Sequence, residues 1–212
     1  PSTLVGKITT KDLFVSGIQV EDRSYDGTNL AELDMSSLTL GGLVSGDEVI
    51  VSSTGTFSDK HAEIDKEVAF VHDFTGSDLA NYLVTAQTAD YATIQPRPLS
   101  ITGIKAVDKI YDGDSIAEID VSRLEKNGLV LGDQLELSSS ATFADKTAGM
   151  SKPVSYAHSF SGSDLNNYLI DVPDSDVATI FKKPLKISGL KALDKIYDCL
   201  LYTSDAADEH SW

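Results

Sequence analysis

The stretch LSITGIKAVDKIYDG at residues 99–113 decides how this chain is organised. Related stretches occur at residues 13–27, LFVSGIQVEDRSYDG, and at residues 185–198, LKISGLKALDKIYD. The two steps are equal, since 99 − 13 = 86 and 185 − 99 = 86. Self-similarity at a fixed period indicates a repeat architecture, in which each repeat is one structural unit.

The period holds without insertion or deletion across two whole units. Residues 17–94 and 103–180 are identical at 38 of 78 aligned positions, which excludes chance similarity. We therefore divide the chain into the end of a preceding repeat (1–12), repeat one (13–98), repeat two (99–184), the start of a third repeat (185–198) and a tail (199–212). This division predicts a piece of a longer array.

The tail departs from the repeat at Cys199, where the pattern requires glycine. Its sequence, CLLYTSDAADEHSW, carries the only cysteine and the only tryptophan of the chain. The string CLLYTSDAADE resembles translated sequencing-adapter read-through of the kind found in metagenomic fragments. We therefore expect residues 199–212 to be non-native.

Composition narrows the class of protein. The net charge of −16 opposes binding to nucleic acid or to an anionic membrane surface. No apolar run approaches the roughly 18 residues of a membrane span, so we expect no membrane insertion. A single cysteine excludes a disulfide framework within the chain.

Each repeat is predicted to consist of short strands and turns. The clearest strand is at residues 68–74, where Val68, Phe70, His72 and Phe74 alternate on one face. Other strands are expected at residues 13–20, 30–35, 48–57, 82–86 and 91–94, with a bulge at Gly55 and one helical turn at 77–81.

The helical turn provides the best indication of fold. Asp78 and Tyr82, repeated as Asp164 and Tyr168, resemble the tyrosine corner of immunoglobulin-like sandwiches. This favours an all-β fold of tandem immunoglobulin-like β-sandwich units, with a β-grasp-like unit as the alternative. Prolines 96 and 98 make the connection short and stiff, so we expect the units to form an elongated rod.

No catalytic site is predicted. The chain has no G-x-S-x-G elbow, and the histidines repeated at His72 and His158 are typical of packed strand residues. The abundant carboxylates are no evidence for acid–base chemistry in so acidic a chain. We expect no enzymatic activity and no cofactor.

Two kinds of binding site remain as candidates. Tyr25 and Tyr111 lie in repeated turns, where they either bind a ligand or pack, across the end of a unit or onto the next unit. Calcium is the candidate metal, because repeated loop carboxylates suit a hard cation, although each also suits a turn. The calcium candidates are Asp26, Asp112, Asp47 and Asp133.

The repeated blocks together resemble the YDG domain. They are DKIYDG at 108–113, LGD at 131–133, TFADK at 142–146, GSD at 162–164, NYL at 167–169 and ATI at 178–180. The motif residues are Tyr25, Asp26 and Gly27 in repeat one and Tyr111, Asp112 and Gly113 in repeat two. Repeat one departs from the pattern at Arg23 and Ser24, where repeat two has lysine and isoleucine.

The resemblance implies a role at a bacterial cell surface or in the extracellular medium. YDG domains repeat in large secreted adhesins, including filamentous-haemagglutinin-like proteins. The resemblance implies stalk or spacer repeats that contact neighbouring repeats of the same chain. The alternative is a module that itself binds glycan or matrix protein of a host or the environment, assisted by calcium. The family supplies no catalytic residues.

Overall fold

The computed structural model describes residues 6–194, 196 and 197. Repeat one contains ten strands: β1 (Lys11–Ser16), β2 (Gln19–Val20), β3 (Arg23–Ser24), β4 (Leu30–Ala31), β5 (Leu33–Asp34), β6 (Thr39–Gly41), β7 (Ile50–Phe57), β8 (Glu63–Thr75), β9 (Tyr82–Ala86) and β10 (Ala89–Gln95). A single 3-10 turn, η1 (Leu79–Asn81), precedes β9.

Repeat two has the same elements in the same order. Its strands are β11 (Arg97–Thr102), β12 (Lys105–Ala106), β13 (Lys109–Ile110), β14 (Ile116–Ala117), β15 (Ile119–Asp120), β16 (Glu125–Asn127), β17 (Glu136–Phe143), β18 (Gly149–Ser161), β19 (Tyr168–Asp171) and β20 (Ser175–Phe181). The turn η2 (Leu165–Asn167) precedes β19. In the described part of the chain these two turns are the only helical elements, so the all-β prediction is confirmed.

The sheets of the two repeats match strand for strand. Repeat one forms a five-stranded sheet, β3-β10-β8-β7-β4, a three-stranded sheet, β6-β1-β9, and the pair β2-β5. Repeat two forms β13-β20-β18-β17-β14, β16-β11-β19 and β12-β15. In each three-stranded sheet the first strand of the repeat runs parallel to the ninth and antiparallel to the sixth.

The alternating strand predicted at residues 68–74 is confirmed within β8. Val68 and Phe70 are buried, and His72 and Phe74 lie partly buried on the same face. The predicted bulge at Gly55 is wrong, because β7 pairs with β8 in continuous register from Ile50 to Phe57. The glycine is there for close packing, since a Cβ on it would lie 2.8 Å from Leu33 Cδ2.

The predicted strand at residues 13–20 is broken in two at Gly17. Gly17 has φ +85°, and a Cβ there would lie 2.2 Å from the Ser37 carbonyl oxygen. A glycine is therefore required both by the backbone conformation and by the close approach of the next loop. The break directs β1 into one sheet and β2 into another.

The two repeats are joined with almost no linker. β10 ends at Gln95 in the large sheet of repeat one, and β11 begins at Arg97 in the small sheet of repeat two. Only Pro96 lies between them, and its ring fixes its own φ. The buried cluster around Ile94 and Leu99 includes residues of both repeats.

Residues 185–194 follow β20 and form no strand. Leu185 and Ile187 are 86% and 73% exposed, whereas Leu99 and Ile101, 86 positions earlier, are each 1% exposed. The difference follows from pairing, because no equivalents of β16 and β19 follow within the described residues. The predicted non-native tail lies outside the described residues.

Candidate functional site

Tyr25, the tyrosine of the repeated Tyr-Asp-Gly motif, lies at the contact between the repeats. It follows β3, and its backbone N–H donates to the Gln95 carbonyl at 2.8 Å. Its side chain is wholly buried. The hydroxyl donates to Asp133 Oδ2 of repeat two at 2.9 Å, and the ring meets the Tyr168 ring edge-on at 5.6 Å and 79°. The motif tyrosine of repeat one is thus packed onto repeat two.

Three donors converge on the Asp133 carboxylate. The Tyr168 hydroxyl donates to Oδ2 at 2.6 Å, and Lys60 Nζ donates to Oδ1 at 2.9 Å, in addition to the bond from Tyr25. The carboxylate side chain is only 3% exposed. Burial acts to raise the pKa of Asp133, but the hydrogen bonds from Tyr168, Lys60 and Tyr25 hold it below its usual range. The site therefore contains a buried charge with its partners in place.

Lys60 bridges two carboxylates of repeat two. Its Nζ lies 2.9 Å from Asp133 Oδ1 and 3.0 Å from Asp164 Oδ1. Hydrogen bonds to Asp133 and then Asp164 raise the pKa of Lys60 above its usual value. The Gln134 backbone N–H, followed by Lys60, lowers the pKa of Asp164 to about 2. At neutral pH one cation of repeat one is thus held between two anions of repeat two.

A second set of contacts lies beside this cluster. The Ala62 backbone N–H donates to Asn167 Oδ1 at 2.9 Å, and the Asn167 amide nitrogen lies 3.2 Å from His61 Nδ1. Asn167 is only 1% exposed. Gly27, the motif glycine, lies so close to Val130 that a Cβ on it would be 2.7 Å from Val130 Cγ1. The motif glycine allows the two repeats to approach at this point.

We name the two sides of this joint. The donor end of repeat one consists of Tyr25, Lys60 and Ala62. The acceptor face of repeat two consists of Asp133, Asp164, Asn167 and Tyr168. The hydrogen-bonded pairs that join them are separated by 73 to 108 residues in the chain.

The acceptor face is held by bonds within its own repeat. The Tyr168 hydroxyl accepts the Val130 N–H at 2.9 Å, and Asp164 Oδ2 accepts the Gln134 N–H at 3.0 Å. The predicted tyrosine corner differs here, because the backbone partner of Tyr168 lies 38 residues upstream in another loop rather than a few residues away. The hydroxyl therefore fixes the loop that carries Asp133.

The motif of repeat two shows what these residues do away from the joint. Tyr111 is partly buried and its N–H donates to the Phe181 carbonyl at 2.9 Å, as Tyr25 donates to Gln95. Asp112 lies 2.9 Å from Lys109 Nζ, and that hydrogen bond is the main cause that lowers the pKa of Asp112. Asp26 accepts the Thr28 N–H at 2.8 Å. The motif aspartates thus support their own turns.

Each of the four calcium candidates is hydrogen-bonded or ion-paired to groups of its own. Asp26 and Asp112 hold turns, and Asp133 lies in the joint. Asp47 accepts the Tyr82 hydroxyl at 2.6 Å. Across residues 6–194, 196 and 197 no group of three or more histidine, cysteine or acidic side chains has a metal-binding arrangement.

A serine–histidine pair recurs in both repeats and was missed from the sequence. Ser53 Oγ lies 2.7 Å from His72 Nδ1, and Ser139 Oγ lies 2.7 Å from His158 Nδ1. In repeat one His72 Nε2 also lies 2.6 Å from the Gln87 carbonyl oxygen, so Nε2 carries the proton and the serine donates to Nδ1. Each serine lies opposite its histidine in the β7–β8 or β17–β18 pairing, so the side-chain hydrogen bond joins two neighbouring strands.

Sequence reasoning assigned no role to Lys60, Ala62 or Asn167. One signal was present, since all three are identical 86 positions away, at Lys146, Ala148 and Asn81. A polar loop residue that is identical in both repeats points to a shared contact.

The comparisons with known proteins agree with the repeat. The YDG domain profile matches residues 9–89 and 95–177, together more than half of the chain. No curated protein and no solved structure matches the chain significantly. The described residues contain no helix long and apolar enough to cross a membrane. With two matched copies in tandem, the chain belongs to the YDG domain family.

Proposed function

We propose that these repeats are stalk or spacer units of a large bacterial adhesin, at the cell surface or secreted, and that they project a distal binding domain. The observation that supports this is the joint, in which the motif tyrosine of one repeat is buried against the next. A spacer needs fixed angles between neighbours, and a one-residue linker with buried polar contacts supplies them. In such arrays each repeat contacts mainly its neighbours, so length grows with repeat number.

The test is a measurement of length against repeat number. We would compare the chain with a version in which residues 13–184 occur twice, by small-angle X-ray scattering. A spacer predicts that the maximum dimension about doubles as the number of repeats rises from two to four. Growth with roughly the 0.6 power of chain length, as for an unfolded chain, would contradict the proposal.

A second candidate function rests on a groove at the joint. It has a volume of about 620 Å³ and is lined mainly by apolar groups, among them Ile64, Pro96 and Leu169. Its volume is in the range of small-molecule pockets. This favours the alternative that the repeats bind glycan or matrix protein.

A binding array with and without calcium separates the two functions. Leu169 is 69% exposed, and its equivalent Leu83, which does not line the groove, is 61% exposed. Saturable binding that Leu169→Asp abolishes and Leu83→Asp preserves would favour the binding module. Silence across the array in both buffers would support the spacer.

A further inference from the structure

Repeat one carries an acceptor face of its own that has no partner in the described chain. It consists of Asp47, Asp78, Asn81 and Tyr82, each 86 positions before its equivalent in repeat two. We propose that this face docks the donor end of another YDG unit. That donor end presents a tyrosine hydroxyl, a lysine ammonium and a backbone N–H, which correspond to those of Tyr25, Lys60 and Ala62. The proposal concerns recognition between units and does not require the spacer role.

The face is already formed in repeat one. The Tyr82 hydroxyl donates to Asp47 Oδ2 at 2.6 Å, the same distance as in the equivalent bond of repeat two. It also accepts the Val44 N–H at 2.9 Å, and Asp78 Oδ2 accepts the Glu48 N–H at 3.0 Å, again as in repeat two. A docking unit would therefore meet a preorganised surface.

The solvent exposure of equivalent side chains shows which of them are covered by a neighbouring repeat. Asn167, inside the joint, is 1% exposed, whereas Asn81 is exposed. On the other side, Tyr25 is wholly buried, whereas Tyr111 is only partly buried and Lys146 is exposed. The asparagine of the acceptor face and the tyrosine and lysine of the donor end are thus less exposed where a neighbouring repeat covers them.

The segment before β1 indicates what covers the face. Ile8 aligns with Ile94, which belongs to the last strand of repeat one and is fully buried. Ile8 is 96% exposed, and it lies along a groove of about 290 Å³ that Asp47, Asn81 and Tyr82 also line. The residue that aligns with the last-strand isoleucine of a YDG unit therefore lies next to the face that such a unit would contact.

Charge and symmetry fit the same partner. Asp47 and Asp78 are two carboxylates for one lysine ammonium, as Asp133 and Asp164 are for Lys60. Each unit then offers a donor end and an acceptor face on different surfaces. Such a heterologous contact extends as an open array when the rotation from one unit to the next does not close a ring.

The test adds one unit to the full chain. A second copy of residues 13–98 is placed directly before residue 13, so that the 86-residue period continues. Hydrogen exchange is then followed at the amide of the added Ala62, whose partner in the proposal is Asn81. We expect its exchange to be at least about tenfold slower than that of the amide of Ala148, which is exposed at the far end.

Two alanine variants make the result decisive. In the three-unit chain, Asn81→Ala in the native copy of residues 13–98 should abolish the protection of the Ala62 amide in the added copy. Asn167→Ala should likewise abolish the protection of the native Ala62 amide. Protection absent at the added unit but present at the native joint would overturn this inference alone. Protection absent at both would instead contradict the joint on which the spacer function rests.

Discussion

Replacing Lys60 with methionine should destabilise the chain through the joint. Methionine keeps the length and apolar stem of the side chain and removes the charge. The change leaves Asp133 and Asp164, with side chains 3% and 7% exposed, facing each other without a cation. Buried carboxylates without a partner are costly, so the loss should exceed that of an ordinary surface ion pair.

The magnitude follows from burial. Breaking a buried ion pair costs about 3–5 kcal/mol, and an exposed pair contributes about 0.2–1 kcal/mol. The Lys60 side chain is 34% exposed, so water screens the pair in part. Asp133 also keeps two hydroxyl donors. We therefore expect a loss of about 2 kcal/mol, between the two limits.

The assay is urea unfolding of the whole chain, followed by circular dichroism at pH 7. With a slope of about 2 kcal/mol per molar urea, the midpoint should fall by about 1 M. The matched control is Lys146→Met, because Lys146 is the same residue one repeat later and is exposed. Its midpoint should stay within about 0.25 M of the parent. Equal effects of the two variants would show that the contacts of Lys60 with Asp133 and Asp164 do not stabilise the chain.

Three further predictions follow from the same contacts. Asn167→Ala should cost about 1–2 kcal/mol in urea unfolding, because it leaves the partly buried Ala62 N–H without an acceptor, whereas Asn81→Ala should cost less than about 0.5 kcal/mol; equal costs would contradict the joint. Gly27→Ala should lower the melting temperature more than Gly113→Ala. Both glycines have positive φ, but only at Gly27 would a Cβ lie within 4 Å of a neighbouring atom. A larger loss for Gly113→Ala would count against the contact between Gly27 and repeat two. Stability should fall as the pH drops from about 4 towards 2. The folded pKa of Asp164, about 2, lies below its unfolded value of about 3.9, so the stability that this carboxylate contributes is present above pH 4 and is lost when it is protonated. The free energy of unfolding of Lys60→Met should change less over this pH range.

Much of the fold could be predicted from the sequence because it rests on local patterns. The 86-residue period and the alternation along residues 68–74 together indicate an all-β repeat, and η1 lies within the predicted helical turn at 77–81. Strand ends were less accurate, since Gly17 breaks the first strand for reasons that lie in another loop. The immunoglobulin-like sandwich remains a prediction, as does the elongated rod.

The joint could not be predicted because its partners are distant in sequence. Tyr25 and Asp133 are 108 residues apart, and nothing in the turn of Tyr25 indicates which loop of the next repeat will face it. The sequence left two roles open for this tyrosine, ligand binding and packing. Only the geometry places it against Asp133 and Tyr168.

We expect the joint to hold neighbouring YDG units at a fixed angle. The most direct measurement is a spin-label distance distribution between Val71→Cys and Val177→Cys, two exposed strand positions in different repeats, in a Cys199→Ser background. We expect one narrow distribution that Lys60→Met broadens. A broad distribution in the parent chain, unchanged by Lys60→Met, would contradict it.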